Sequence, residues 1–374
     1  MKVYLICLCL VSLCFVLICE NALGYSYDRC LGRKVKDASE SVRFRAGRNS
    51  FPEGSARRSA LNNCVTRWNE GPSEFVFSSI RWGDRSVGRD NGQHEVWFST
   101  NDRILDGAAA IASSVVECWE FGPWRNVEIV ETDIIFDNRL RWSFNFRAQS
   151  TKTAYGGRWL PFEMACLHEM GHALGLNHVN YRYNVMGDAW RHLGVNGGNV
   201  RYYVGEDTGN GAVFLYGEKD VIHNDVAVTH WQYDTANGEY SVHKLTEIFT
   251  ADGSVVMGSE DFDNNMQRYC LRAGSTYQVQ FSYENNGVEN HPEVNVGYYI
   301  STDDAISTRD RRVRTRVLTL NRNRVYTQKH TLTLPDDLVV GQTYYVGVIV
   351  DYTGDIDEIN EINNQSHLPI EIVP

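Results

Sequence analysis

The segment from His168 to His178 reads H-E-x-x-H-x-x-G-x-x-H and constrains the fold more than any other part of the sequence. On an α-helix, His168 and His172 lie on one face about one turn apart, so their imidazole nitrogens can converge on one ion. Gly175 follows at the point where the helix must end and the chain must turn sharply. A residue without a Cβ adopts the backbone conformation of such a turn at the lowest steric cost. The turn brings His178 back as a third ligand. The spacing therefore predicts a helix, a glycine turn and a three-histidine metal site.

The residue types in this segment indicate a catalytic zinc ion. Three neutral imidazoles leave one position of a four-coordinate zinc for water, whereas a structural site has a fourth protein ligand, usually Cys. Glu169 follows the first ligand and projects over the open side of the metal. Cys166 points about 200° away from His168 on a helix, so we interpret it as a buried residue. A single histidine is more often a surface residue, but five fixed positions together favour the zinc site.

Further segments resemble the metzincin proteases, and within them the matrixins. Tyr183-Asn184-Val185-Met186-Gly187 is similar to the turn whose methionine, here Met186, lies beneath the zinc ion in that clan. Three further segments match secondary-structure elements of the matrixins. The segment 59–69 resembles their first long helix, the segment 131–136 resembles a strand that is acidic and then apolar, and the segment 205–217 resembles their last helix. The resemblance covers about residues 41–217. It implies an α/β (α+β) metzincin-type catalytic domain that hydrolyses peptide bonds. In the mechanism that the resemblance implies, Glu169 acts as general base on the zinc-bound water.

The sequence differs from the patterns of related metzincin families in three features. The sequence lacks the Pro-Arg-Cys-Gly segment that keeps many matrixins latent, and no histidine stands between His94 and His168 to bind the second, structural zinc of vertebrate matrixins. Asp188 stands where astacins and serralysins have a tyrosine ligand. The resemblance thus implies one catalytic zinc ion. It also implies an edge strand facing the zinc, which the sequence does not identify, and a specificity pocket shaped by Ala189 and Trp190.

The pattern changes after Gly217, where helical periodicity stops. Apolar residues then alternate with polar ones in several short segments, as in 277–283, 294–300 and 344–350, which predicts an all-β immunoglobulin-like sandwich within residues 218–374. Within about residues 222–374 the chain resembles the CARDB module, in Asn285-Asn286-Gly287, in 299–304 and in 358–364. That resemblance implies adhesion or substrate targeting through a cell-surface or matrix ligand.

The acidic loop near the end of the chain has two interpretations. Asp351, Asp355, Asp357 and Glu358 lie close together in sequence and suggest calcium. Acidic loops are usually only solvated, and no EF-hand spacing occurs here. Both interpretations stay open at the level of sequence.

Residues 1–24 are predicted to be a signal peptide, because Lys2 precedes an apolar run that ends at small residues. No second long apolar segment follows, so we expect a secreted, extracellular protein with no membrane span after cleavage; the alternative is an uncleaved anchor. Residues 25–40 form a short N-terminal segment. We expect Cys30 to join a disulfide and not to block the zinc as a thiolate. The partners among the remaining cysteines stay undetermined: Cys30, Cys64, Cys118, Cys166 and Cys270.

Periodicity predicts helices at 56–68 and 108–119 and strands at 95–99 and 127–136. The formal charge of −11 argues against a nucleic-acid partner, since phosphate binding needs concentrated Lys and Arg. The predicted function is that of a secreted zinc endopeptidase acting on proteins or peptides. The alternative is a catalytically silent metzincin-like scaffold that serves as an extracellular adhesion protein.

Overall fold

The computed structural model describes residues 2–7, 25–144, 158–179, 185–187, 193–196, 199–221, 223–230, 245–262, 266–322 and 324–374. Residues 8–24 of the predicted signal peptide lie outside this described part of the chain. One compact unit is built from the described parts of Met1–Asn145, Leu160–Trp190 and Asp207–Val221. The other is built from those of Phe146–Trp159, Arg191–Glu206 and Ile222–Pro374. Within the described ranges, no helix is both long and apolar enough to cross a membrane.

In its described residues, the first unit combines four helices with short and long strands. Its helices are α1 (Ala56–Glu70), α2 (Asp102–Leu105), α3 (Phe162–Ala173) and α4 (Glu206–Tyr216). Its strands are β1 (Lys2–Cys7), β2 (Ser26–Tyr27), β3 (Arg29–Cys30), β4 (Arg33–Lys34), β5 (Ser41–Val42), β6 (Arg45–Gly47), β7 (Val76–Phe77), β8 (Arg81–Asp84), β9 (Glu95–Ser99), β10 (Ala110–Phe121), β11 (Trp124–Asp137), β12 (Trp142–Ser143), β13 (Leu160–Pro161) and β14 (Leu176–Asn177).

A six-stranded sheet in the order β1-β10-β11-β9-β6-β8 forms the frame of this unit. Strands β11, β9, β6 and β8 are parallel to one another, whereas β10 is antiparallel to β11 and β1 is antiparallel to β10. Without the first strand, β10 would be the edge of the sheet. The predicted mixture of helices and strands is confirmed, as are the helix at 56–68 and the strands at 95–99 and 127–136.

The predicted helix at 108–119 is wrong, because Ala110–Phe121 is the long strand β10. Most of the first nine residues of β10 are buried, on both faces of the strand. A strand buried on both faces shows no alternation of apolar and polar residues, so its sequence also fits a helical pattern.

Helix α3 is buried along almost its whole length, with only Glu163 partly exposed. Its first residue, Phe162, packs against Phe98 and Phe136 of the sheet with ring centroids 5.9 and 4.7 Å apart. Helix α1 packs beside it, and the indole nitrogen of Trp68 donates to the carbonyl oxygen of Leu167 at 3.1 Å. Apolar burial on all sides therefore fixes this helix more firmly than its own helix propensity would.

The segment from Tyr25 to Val35 belongs to the first unit and lies against the end of α3. Strand β2 pairs with β14 directly after the helix, and a disulfide joins Cys30 to Cys118 in β10. The expected disulfide of Cys30 is thus present. Among the described cysteines the free thiols are Cys64 and Cys166, both buried, and the exposed Cys270.

The second unit is a two-sheet sandwich with a separate hairpin. Its strands are β15 (Leu193–Asn196), β16 (Asn199–Tyr202), β17 (Val226–Thr229), β18 (Glu247–Thr250), β19 (Gly258–Phe262), β20 (Met266–Arg272), β21 (Thr276–Asn285), β22 (His291–Ser301), β23 (Arg311–Leu320), β24 (Val325–Thr333), β25 (Thr343–Val350) and β26 (Gln365–Val373). A 3-10 helix, Glu361–Asn363, precedes β26.

The predicted immunoglobulin-like sandwich is confirmed. One sheet has β17, β18 and β24 paired with β21, and the other has the order β19-β20-β26-β25-β22-β23. Alternate residues of the facing strands form one core; for example, Tyr283 and Tyr298 are fully buried and their hydroxyl groups lie 2.6 Å apart. The sheets are antiparallel except for β20 and β26, which are parallel.

Three buried carboxyl groups lie under the loop 88–92 of the first unit. They belong to Glu95 in β9 and to Glu131 and Asp133 in β11. Backbone N–H groups of the loop donate to Glu95 and Glu131, for example Gly88 N–H to Glu95 Oε2 at 2.8 Å. Burial, helped by the hydrogen bond and charge of Glu131, raises the pKa of Asp133 to about 9. Asp133 is therefore protonated at neutral pH.

We expect the substitution Asp133→Asn to stabilise the protein at alkaline pH. A raised folded-state pKa means that stability is full below the unfolded pKa of about 4 and is lost as pH rises toward 9. Even one unit of pKa shift corresponds to about 1.4 kcal/mol, so Asn should raise the free energy of unfolding at pH 8 by at least about 1 kcal/mol. Urea unfolding at pH 8 and pH 5 measures this, with the exposed Asp220→Asn as control. A gain that does not shrink at pH 5 contradicts the assigned protonation.

We expect Cys30→Ser to destabilise the protein without raising any peptidase activity. The bridge closes a loop with a sequence separation of 88 residues, so its loss should lower the free energy of unfolding by about 2–4 kcal/mol. Cys270→Ser removes an exposed free thiol and is the matched control. Denaturant unfolding and peptide hydrolysis are measured for both. A Cys30→Ser variant that is more active than the parent would show that Cys30 restrains the site.

Candidate metal centre

Helix α3 and the turn after it bring three histidine side chains to one point. The Nε2 atom of His168 lies 3.2 Å from that of His172 and 3.0 Å from that of His178. The Nε2 atoms of His172 and His178 are also 3.0 Å apart. Within the described residues, this is the one group of three or more His, Cys, Asp or Glu side chains arranged to hold a metal ion.

Two backbone carbonyls set the orientation of the rings. The Nδ1 atom of His168 lies 2.6 Å from the carbonyl oxygen of Val185, and that of His172 lies 2.9 Å from the carbonyl oxygen of Leu176. A ring nitrogen facing a carbonyl must carry the hydrogen. In a neutral ring the other nitrogen, Nε2, is then an acceptor only. The lone pairs of His168 and His172 therefore point into the centre of the group.

The geometry of this centre fits a zinc ion. Burial lowers the pKa of His168 to about 3, and both burial and the neighbouring imidazoles lower the pKa of His172, so both rings are neutral at physiological pH. Tetrahedral zinc with bonds of about 2.0–2.1 Å places its ligand nitrogens about 3.3 Å apart, close to the distances here. Acceptor nitrogens packed this closely repel one another unless a cation lies between them.

Glu169 follows His168 on α3 and is almost completely buried. Its carboxylate accepts a hydrogen bond from the backbone N–H of Ala112 in β10, and burial raises its pKa to about 8. Its Oε1 atom has no hydrogen-bond partner among the described residues. A buried carboxyl group with a free oxygen and a raised pKa is suited to exchanging protons near neutral pH.

The hydrogen bond from Ala112 N–H to Glu169 places β10 against α3, and on this ground we take β10 as the strand that faces the centre. The sequence did not identify this strand, because the segment was predicted to be a helix. Strand β10 pairs with β11 on one side and with β1 on the other. In the pairing with β1, Lys2 lies opposite Glu117 and Cys7 lies opposite Ala112. This edge therefore accepts an extended chain that runs antiparallel to it.

Gly175 ends the turn that carries the chain from α3 toward His178. Its φ is +89°, a conformation that favours glycine. A Cβ at this position would also lie 2.2 Å from the carbonyl oxygen of Val35, which belongs to the N-terminal segment. The sequence predicted the sharp turn but gave no sign of this close approach by Val35.

Met186 packs against α3 at Gly171. It is buried, and its carbonyl oxygen accepts from Val179 N–H at 3.1 Å. A Cβ at Gly171 would lie 2.2 Å from Met186 Sδ, so the close approach of the methionine depends on a glycine within the helix. The other residues discussed for this region, Asp188 and the pocket candidates Ala189 and Trp190, lie outside the described residues.

The acidic loop of the second unit gives calcium no support. The Asp351 carboxylate accepts from the backbone N–H groups of Asp355 and Ile356 at 3.1 and 2.9 Å. Glu358 accepts from Val226 N–H and, at 2.7 Å, from the Asn364 amide. These carboxylates stabilise the loop backbone, and within the described residues no three of them converge on one point.

Comparison with protein families identifies both parts of the chain. Residues 55–209 match the family model described as Matrixin, and residues 263–367 match that described as CARDB. The chain contains a matrixin domain followed by a CARDB module. None of the curated proteins compared with this chain matches it.

The solved structures that are similar to part of the chain include two of a CARDB domain. The CARDB domain of a Pyrococcus furiosus protein, crystallised in complex with di-metal ions, is 14% identical, with a TM-score of 0.26; the match covers 41% of this chain and 98% of that one. Its solution NMR structure gives 15% identity, a TM-score of 0.25 and the same coverage. A Niemann-Pick type C2 protein from the Japanese carpenter ant is 8% identical over 28% of this chain and 80% of that one, with a TM-score of 0.21.

We expect Gly175→Ala to weaken both folding and metal binding. Alanine at φ +89° costs about 1–2 kcal/mol, and its Cβ would also displace Val35 or the turn that carries His178. Gly54→Ala is the matched control, because Gly54 has φ +69° but nothing within 4 Å of an added Cβ. Thermal unfolding and zinc content per chain are measured for both variants. Equal losses would show that the contact with Val35 does not matter.

Proposed function

We propose that the matrixin domain is a secreted zinc-dependent endopeptidase that cleaves protein or peptide substrates. The observation that carries this proposal is the convergence of three imidazole rings at the end of the helix that also bears the buried carboxyl group of Glu169. The match of residues 55–209 to the matrixin model supports peptide-bond hydrolysis as the chemistry.

In this proposal His168, His172 and His178 hold the zinc ion. When bound, zinc supplies Lewis-acid chemistry that polarises the scissile carbonyl and lowers the pKa of the attacking water. Glu169 takes a proton from that water with its free Oε1 and later gives it to the leaving amine. Strand β10 pairs with the substrate backbone and holds it in an extended conformation. Burial around α3 excludes other water molecules from the site.

Secretion and targeting are further parts of the proposal. The apolar run within residues 1–24 supports export, and the Cys30–Cys118 disulfide supports an oxidising compartment. The CARDB module then directs the protease to a cell-surface or matrix ligand. The domain boundary near residue 217 and the removal of residues 1–24 belong to the same proposal.

We expect Glu169→Gln to abolish peptide cleavage while the protein keeps about one zinc ion per chain. The amide retains the size of the side chain but cannot accept the proton, which should lower kcat by at least about a hundredfold. His172→Ala should lose both zinc and activity, because it removes a ligand. Zinc content and the hydrolysis of a fluorogenic peptide measure both effects.

Glu163→Gln is the matched control for this experiment. Glu163 lies on the same helix but accepts from the Asn63 amide at 2.9 Å and does not belong to the histidine group. It should remain fully active. If the domain is instead a catalytically silent scaffold, the parent protein will not digest casein even when zinc is present. Adding a chelator will then change nothing. Substantial hydrolysis by Glu169→Gln would show that another group is the base.

A further inference from the structure

The hairpin of β10 and β11 carries three exposed aromatic side chains at its tip. Trp119, Phe121 and Trp124 are 42%, 75% and 65% exposed. Isolated exposed apolar residues are common on protein surfaces, but large aromatic groups clustered at one tip indicate a binding surface. These three residues are called the aromatic tip below.

The strand register places the aromatic tip on one face of the hairpin. Phe121 lies directly opposite Trp124, and Trp119 lies two residues before Phe121 on the same strand. Side chains two residues apart on a strand, and directly opposed across a pair, share a face. The other face at this point carries the opposed charges Glu120 and Arg125. The tip therefore presents one apolar face and one charged face.

The hairpin is held firmly at the point where the tip begins. The Cys30–Cys118 disulfide lies one residue before Trp119, and Cys118 packs with Val35, Val116 and Ile129. Because the disulfide and these contacts fix the hairpin where the tip begins, little conformational entropy of the backbone is lost when a ligand binds the aromatic face.

The tip lies on the same strand that faces the proposed catalytic centre. The pairing of β1 with β10 places Cys7 opposite Ala112 and Lys2 opposite Glu117. A chain bound in this direction has its N-terminal residues toward the tip. From Ala112 to Phe121 there are nine residues, or about 30 Å at the rise of a strand.

We propose that the aromatic tip is an exosite that binds apolar side chains of a polypeptide substrate about nine residues N-terminal to the cleaved bond. The inference rests on the proposed function, because it takes β10 as the strand that binds substrate. A polypeptide fits better than an anionic membrane, since the acidic residues Glu117, Glu120 and Glu128 surround the tip with Arg125 as the one basic neighbour in 117–128. Polypeptides supply both the extended backbone for β10 and the apolar side chains for the tip.

Three fluorogenic peptides with the same cleavable core test the proposal. The first ends four residues before the scissile bond, the second extends to twelve residues with Leu and Phe at the ninth and tenth positions, and the third has Ser at those two positions. For the parent protein we expect kcat/KM for the apolar long peptide to exceed that for the Ser peptide about tenfold.

The double variant Phe121→Ser/Trp124→Ser should lose this preference and cleave the short peptide as fast as the parent does. Arg125→Ser is the matched control, because it changes an exposed residue on the opposite face of the same tip. It should keep the preference. If the double variant retains the tenfold preference, or slows cleavage of all three peptides equally, the exosite is wrong.

A binding assay separates the exosite from the proposed chemistry. Fluorescence polarisation with labelled long peptides is measured on zinc-loaded Glu169→Gln. Tighter binding of the apolar peptide, lost in the Phe121/Trp124 variant, supports the exosite even if the parent cleaves nothing, a result that would overturn only the proposed function. Equal binding of both long peptides overturns the exosite. Phosphatidylcholine vesicles that bind the parent but not the tip variant, together with equal peptide binding, would assign the tip to lipid instead.

Discussion

The candidate centre depends on the contacts between two imidazole rings and two backbone carbonyls. Because the carbonyls of Val185 and Leu176 accept from Nδ1, the opposite nitrogens of His168 and His172 are left as acceptors that face His178. One carbonyl comes from the turn with Met186 and the other from the strand after the helix. The backbone around the helix therefore fixes the tautomers of the two rings, and the burial of α3 keeps both rings neutral.

The N-terminal segment completes this arrangement. Strand β2 pairs with β14, and Asn177, next to His178, donates to Asp28 at 3.0 Å. Tyr216 of α4 links the segment to the helix end, since its hydroxyl group accepts from Asp37 N–H at 2.9 Å and donates to the Leu174 carbonyl at 2.8 Å. The third histidine is thus positioned by contacts with residues remote in sequence as well as by the glycine turn.

The sequence predicted those features that follow from local spacing. The helix at 56–68, the separation of His168 and His172 and the alternation in β21, β22 and β25 are all of this kind. Strand β10 was missed because residues such as Ala112, Val115 and Val116 are buried on both faces, which removes the period of two. The turn at Gly122-Pro123 and the β-branched pair Val115-Val116 were the available signals for a hairpin. The contacts of Gly175 with Val35 and of Gly171 with Met186 join distant segments, so no local pattern reveals them.

The contacts of the N-terminal segment also set the order in which the molecule can mature. Asp28 meets a partner 149 residues later, and Lys34 donates to the Phe214 carbonyl 180 residues later. Contacts of such long range are closed late in folding, because the entropy of a large loop must be lost first. A ribosome would have to synthesise nearly the whole first unit before the three histidines could be held together. A chain that is still being made, or that stops early, would thus carry the full H-E-x-x-H motif without a finished centre.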